Sequence, residues 1–120
     1  MLKKHVISLR CAWEGLSYAL TTQPNFIIHL TLSVCVVAAG LFFGITTLEW
    51  LVVILTITSG LALELINTSI ESAVDLITQE WHISAKIAKD VSASAMLVYA
   101  IGATLIATVL FAPKFYYLIY

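Results

Sequence analysis

Residues 48–77 read LEWLVVILTITSGLALELINTSIESAVDLI. Beyond Glu49 the stretch is an apolar run to Leu63, broken only by small hydroxyls and glycine. Glu64, Glu71 and Asp75 then arrive within twelve residues. The apolar part, residues 48–66, is long enough to cross a bilayer as a helix. The pattern continues as helix to residue 77. This segment is therefore expected to be a membrane span whose last turns carry acids.

The whole chain agrees with that reading. It has 120 residues, enough for one domain, and 61% of them are hydrophobic. Mean hydropathy is +1.00. A soluble domain of this size cannot bury so much apolar side chain, so the expected solvent is lipid. The net charge of -1 predicts no nucleic-acid partner. Cys11 and Cys35 lie on opposite sides of the expected membrane boundary, which argues against a disulfide or a cysteine metal site. The first apolar run begins only near Asn25, behind a patterned helix, so a cleaved signal peptide is not expected.

Residues 4–21 pattern as an amphipathic helix. Val6, Leu9, Trp13, Leu16 and Leu20 fall on one stripe at steps of three and four, with Arg10, Glu14 and Ser17 off it. Such a helix can lie in the membrane interface or pack on other helices. Thr21-Thr22-Gln23-Pro24 breaks the pattern. Residues 26–45, FIIHLTLSVCVVAAGLFFGI, form the first expected span. Thr46-Thr47 leaves room only for a short turn, so the second span must run antiparallel to the first. Residues 78–85, TQEWHISA, read as a polar connection. A short helix near 86–93 is expected to lead into a third span over 94–112, with Pro113 closing it.

Lys3, Lys4 and Arg10 precede the first span, Lys86 and Lys89 precede the third, and only Lys114 follows. By the positive-inside rule the N-terminus and the 78–93 loop face the cytoplasm and the C-terminus faces out. Trp13, Trp50, Trp81, Tyr116, Tyr117 and Tyr120 fall near expected interfaces, as anchoring aromatics do.

Glu64, Asn67, Glu71 and Asp75 are spaced three, four and four. On a helix that places all four on one stripe. Like charges at i and i+4 repel, so Glu71 and Asp75 do not serve helix stability. An ionised acid at the centre of a membrane helix costs about 2.5–3.5 kcal/mol on the insertion scale. Glu64, the deepest, should therefore face protein, water or a cation. Asp75 also fits an ordinary solvated helix end. Oxygen ligands suit hard cations, and Mg²⁺ takes one or two carboxylates together with water and phosphate oxygens. A separate carboxylate can serve as general base on a hydroxyl. A proton or ion pathway would use the same residue types, and the stripe alone does not choose. Lys89-Asp90 adds a cation able to reach phosphate oxygens and an acid able to hold that lysine or a nucleotide's polar edge. The same pair also reads as a positive-inside anchor with a capping acid. There is no GxxxxGK[ST] loop, kinase glycine loop or HRD/DFG pair, so any nucleotide chemistry must use another architecture.

ELINTSIESAVDLI, followed by EWH and AKIAKD, resembles the signature region of the small bacterial integral-membrane lipid kinases, the diacylglycerol and undecaprenol kinases. AWEGL in the first helix, the NF-x-IH opening of the first span and the LEW start of the second fit as well. NF-x-IH and EWH look closer to the undecaprenol kinase branch. The resemblance implies an all-α homotrimer of three-span subunits, each with an N-terminal surface helix, in the bacterial cytoplasmic membrane. It implies sites between subunits where ATP with Mg²⁺ phosphorylates the hydroxyl of a membrane lipid, undecaprenol or diacylglycerol. It further implies that Glu64 is the general base, that Glu71 ligates metal, and that Asn67 assists near metal and phosphates. Lys89 would bind phosphate and Asp90 would contact nucleotide. Where many members carry a second metal-binding glutamate, this chain has Gln23, whose amide oxygen still suits Mg²⁺ but with less charge. Ile27 replaces a commonly basic residue. His29, one turn into the first span, suits a headgroup contact, a partner for an acid, or simple packing. The rival readings are an ion or proton pathway subunit and a non-catalytic scaffold.

Overall fold

The computed structural model describes residues 2–120, with side chains from His5 onward; the side chains of Lys3 and Lys4 lie outside the described set. Among the described residues four helices make up the fold: α1 (Leu2–Thr22), α2 (Pro24–Phe43), α3 (Thr47–Ile77) and α4 (Ile83–Ile119). Three of them, α2, α3 and α4, are long and apolar enough to cross a membrane.

Local chemistry sets each boundary. Gln23 adopts an extended conformation and Pro24 opens α2, where its missing N–H is no loss. Gly44 ends α2 in the left-handed region at φ 60°, a backbone that glycine adopts without a Cβ penalty. Thr46 then caps α3. Its hydroxyl accepts from the Glu49 N–H at 3.3 Å, and the Glu49 carboxylate accepts from the Thr46 N–H at 2.7 Å. These two caps confine the reversal to residues 44–46 and force α3 back alongside α2.

At the other end α3 stops at Ile77, and His82 caps α4 by accepting the Ser84 N–H on Nδ1 at 3.2 Å. That cap starts α4 at Ile83, earlier than the pattern suggests, and it runs as one helix instead of a short helix leading into a span. Pro113 does not close it. Proline removes one intrahelical hydrogen bond, but the residues just beyond are held from outside. Lys114 pairs with Glu49 at 2.8 Å and Phe115 packs edge-on against Phe43 at 4.7 Å between ring centroids, and the helix continues to Ile119.

Packing follows the connections. α3 lies chiefly along α4 and next against α2, while α1 touches α2 and α3. α3 and α4 approach closely at Gly60, where a Cβ would sit 2.2 Å from the Tyr99 ring. The Tyr99 hydroxyl donates to the Thr56 carbonyl at 2.8 Å, fixing that crossing. The buried apolar residues are few: Ala19, Phe26, Ile45, Val53 and Phe111. The molecule is a slab of 57 × 43 × 22 Å, and most Leu, Ile, Val and Phe side chains on α2–α4 are exposed. Such faces need lipid or other helices against them.

In α1 only the second half packs. Ala19 is buried and Leu16 and Leu20 are half-buried, while Val6, Leu9 and Trp13 are exposed.

Candidate active site

The polar core of the molecule sits where α3 passes α4, towards the 78–82 connection. Its buried polar residues are Glu64, Asn67, Thr68 and Ser92. The first three share α3 because steps of three and four return to one face, and Ser92 meets them from α4.

Glu64 is 2% exposed. Among the described residues no hydrogen bond or ion pair engages its carboxylate. Its titratable neighbours are His29 of α2 and Glu71, two turns along α3. His29 itself packs edge-on against Tyr99 of α4, with ring centroids 6.0 Å apart. A largely buried carboxylate with no hydrogen-bond partner is able to take a proton from a third party.

Asn67 links the two helices. Its Nδ2 donates to Glu71 Oε1 at 3.1 Å, and its Oδ1 accepts from Ser92 Oγ at 2.5 Å. Glu71 is half-buried and keeps its second oxygen outside this chain of bonds. Thr68 Oγ1 is buried without a partner, so one hydroxyl of the polar core is unsatisfied.

One turn beyond, Lys89 of α4 pairs with Asp75 of α3 at 2.5 Å. Asp90 pairs with Lys86 along α4. The sequence leaves open that Asp90 holds Lys89; in the fold that role falls to Asp75, because side chains at adjacent positions point to different sides of a helix. Asp75 is thus more than a solvated helix end, although its side chain remains 54% exposed. Gln23 lies apart, at the α1–α2 break. It is half-buried, and its Nε2 donates to the Thr22 hydroxyl at 3.1 Å.

Among the described residues no group of three or more His, Cys, Asp or Glu side chains forms a metal cage within one chain. What the site offers a cation is Glu71, a hard oxygen donor with a free oxygen beside a positioned amide. That donor set suits Mg²⁺, which fills its sphere with water and phosphate oxygens.

Between α2, α3 and α4, on the side of His29 and Tyr99, runs a largely apolar cavity of about 520 Å³. His29, Ser33, Thr56 and Tyr99 lie along its wall. It is a greasy space that begins beside the buried carboxylate's histidine neighbour.

A membrane-type helix bundle with acids and a lysine gathered at one end defines a class, and comparison with known proteins gives the family. Residues 10–111 match the family described as prokaryotic diacylglycerol kinase, and the chain belongs to that family. It is 42% identical over 109 residues to a diacylglycerol kinase of Synechocystis, covering 90% of this chain and 62% of that relative. It is 37% identical over 103 residues to the undecaprenol kinase of Bacillus subtilis, covering 86% of this chain and 84% of that relative. A diacylglycerol kinase of Helicobacter pylori is 40% identical over 90 residues, covering 75% of this chain and 65% of that relative. The chain thus spans about three fifths of the Synechocystis protein.

Proposed function

We propose that this protein is a lipid kinase that transfers the γ-phosphate of ATP to the hydroxyl of a membrane lipid alcohol, undecaprenol first among the candidates. The observation that carries the reading is the buried, unengaged Glu64 on the same α3 face as the Asn67–Glu71 pair, with Lys89 close by. Family membership supports it, and the match to the undecaprenol kinase from Bacillus subtilis, which covers 84% of that relative, favours the polyprenol. Diacylglycerol is the second reading, favoured by the names of the relatives from Synechocystis and Helicobacter.

The reaction needs a meeting of two solvents. The lipid keeps its tail in the apolar cavity or the surrounding bilayer and brings its hydroxyl to the polar end. Glu64 accepts the hydroxyl proton as the oxygen forms its bond to the γ-phosphorus. The bond from that phosphorus to the bridging oxygen breaks and ADP leaves. Lys89, poised on Asp75, turns to the phosphates and offsets their charge. Asp90 contacts the nucleotide. Glu71, with Asn67 beside it and Gln23 of a neighbouring subunit as a further oxygen donor, would hold Mg²⁺. When bound, the ion offsets charge on the phosphates. Most of the acceleration then comes from positioning and fixed charge.

The same reading gives the assembly and its placement. Three copies form a homotrimer whose helices cover the apolar faces, with sites between subunits. The Val6–Leu9–Trp13 stripe of α1 lies in the lipid interface, and the 78–82 connection faces the cytoplasm.

The test is phosphate transfer from labelled ATP in mixed micelles, with undecaprenol and diacylglycerol offered separately and Glu71→Ala as control. Transfer to one lipid, lost in the variant, establishes the activity and the substrate. Absence of transfer to either, with ion flux in proteoliposomes that needs no ATP, would move the ion-pathway reading to the front. Absence of both would favour a scaffold.

A further inference from the structure

The Asn67 amide has two possible settings, and its neighbours choose between them. An ionised carboxylate only accepts hydrogen bonds, so the amide edge facing Glu71 must be the NH₂. The oxygen then faces α4 and needs a donor. Ser92 supplies it, at 2.5 Å. Asn67 and Ser92 are each 7% exposed, which leaves little room for water to replace either partner. The chain of donation therefore runs Ser92 to Asn67 to Glu71, from one helix to the other.

We infer that Ser92 is a positioning residue of the phosphoryl-transfer site, acting through Asn67 to fix which oxygen of Glu71 is presented to the cation. The inference rests on the kinase reading above and deepens it. With Oε1 engaged by the amide, Oε2 is the oxygen left for the ion, and its direction is set from α4. Asn67 then serves the metal as the orienter of a ligand, not as a ligand itself, because its own oxygen is committed to Ser92. The helix carrying Lys89 and the helix carrying Glu71 are tied by the same bond, so the phosphate-binding and metal-binding halves of the site keep one register. Removing the Ser92 hydroxyl leaves the Asn67 oxygen buried without a donor. Rotation of the amide gives no relief, since it would turn that oxygen against the Glu71 carboxylate.

The experiment is Mn²⁺ binding, followed by the loss of the free-ion electron paramagnetic resonance signal. The protein is full length, in micelles, with a non-hydrolysable ATP analogue. Ser92→Ala, nearly the same size as the native residue, should weaken Mn²⁺ binding about 10-fold, the scale of a lost supporting hydrogen bond at a metal site. Ser92→Thr, which keeps the hydroxyl, should bind more tightly than Ser92→Ala. In an Asn67→Ala background Ser92→Ala should change nothing further. Affinity within twofold of wild type in Ser92→Ala would overturn the inference, as would an equal loss with and without Asn67. Wild-type protein that transfers phosphate while either of those results holds would overturn this inference alone. Wild-type protein that neither transfers phosphate nor binds Mn²⁺ would overturn the kinase reading and this one with it.

Discussion

The two ends of the α3–α4 pair each carry an acid and a lysine, and they use them differently. At the 44–46 end, Glu49 closes the Thr46 capping box with one oxygen and pairs with Lys114 at 2.8 Å with the other. Below it lies the apolar cluster of Ile45, Val53 and Phe111, with Phe43 tilted against Phe111 and edge-on to Phe115. Every strong hydrogen-bonding group of that acid is taken. At the other end Glu64 is buried and, among the described residues, without a hydrogen bond or ion pair, Glu71 has an oxygen outside its bond to Asn67, and Lys89 rests on an exposed aspartate. Charge that is saturated by neighbours fastens helices together. Charge that is buried and left unsaturated is costly to hold and available to a substrate.

That contrast breaks most sharply at Glu64. Glu64→Gln keeps size and polarity but removes the proposed proton acceptor. Transfer should fall by about 10³-fold, within the range for loss of a general base, while binding of an ATP analogue persists. Near-normal turnover in this variant would remove Glu64 from the reaction and reduce the acidic end to packing. Next in size is Glu71→Ala, which deletes the carboxylate proposed to hold the cation. Transfer at fixed Mg²⁺ should drop on the order of 10²-fold, the upper end of what even a supporting group contributes. Raising Mg²⁺ should recover part of the loss, and a Mg²⁺ titration of the initial rate reads this directly.

Lys89 and Asp75 allow a finer cut. If Lys89 leaves Asp75 for phosphate, Lys89→Met loses a charge-assisted contact of about 1.5–3 kcal/mol, or about 13- to 160-fold in KM for ATP. Asp75→Asn only loosens the resting place of the lysine. Exposed pairs are worth about 0–1 kcal/mol, so KM for ATP should move less than about 5-fold. Equal effects of the two substitutions would mean that the pair acts as a unit and that Lys89 does not let go.

Much of this arrangement is legible in the chain because helical spacing is. The polar stripe at 64, 67, 71 and 75, the existence of an antiparallel return close to Thr46-Thr47 and the apolar spans all follow from periodicity and length, although α2 ends at Phe43, two residues before the expected end of the first span. What periodicity cannot give is which side chain on α4 meets which on α3. Asp75 to Lys89 and Ser92 to Asn67 depend on the rotation and offset of one helix against the other, fixed by the approach at Gly60 and Tyr99. Small Ser92 reads as mere space in sequence, and only its partner makes it a donor. The Thr46-x-x-Glu49 capping box, by contrast, was available as a local signal for where α3 begins. Pro113 misleads for the opposite reason. Its local tendency to end a helix is overridden by tertiary contacts that sit immediately after it.

The smallest expected effect on chemistry comes from the saturated end. Glu49→Gln keeps a polar cap for the Thr46 N–H but discharges the pair with Lys114. If that end only fastens α3 to α4, the melting midpoint in detergent should fall and phosphate transfer should stay within twofold of wild type. Lys114→Met should do the same, and the double substitution should cost less than the sum of the two, since both remove one interaction. A loss of transfer comparable to that of Asp75→Asn would mean that strain travels the length of α3. The distinction between a fastening end and a reacting end would then have to be drawn through helix register instead of through local saturation of charge.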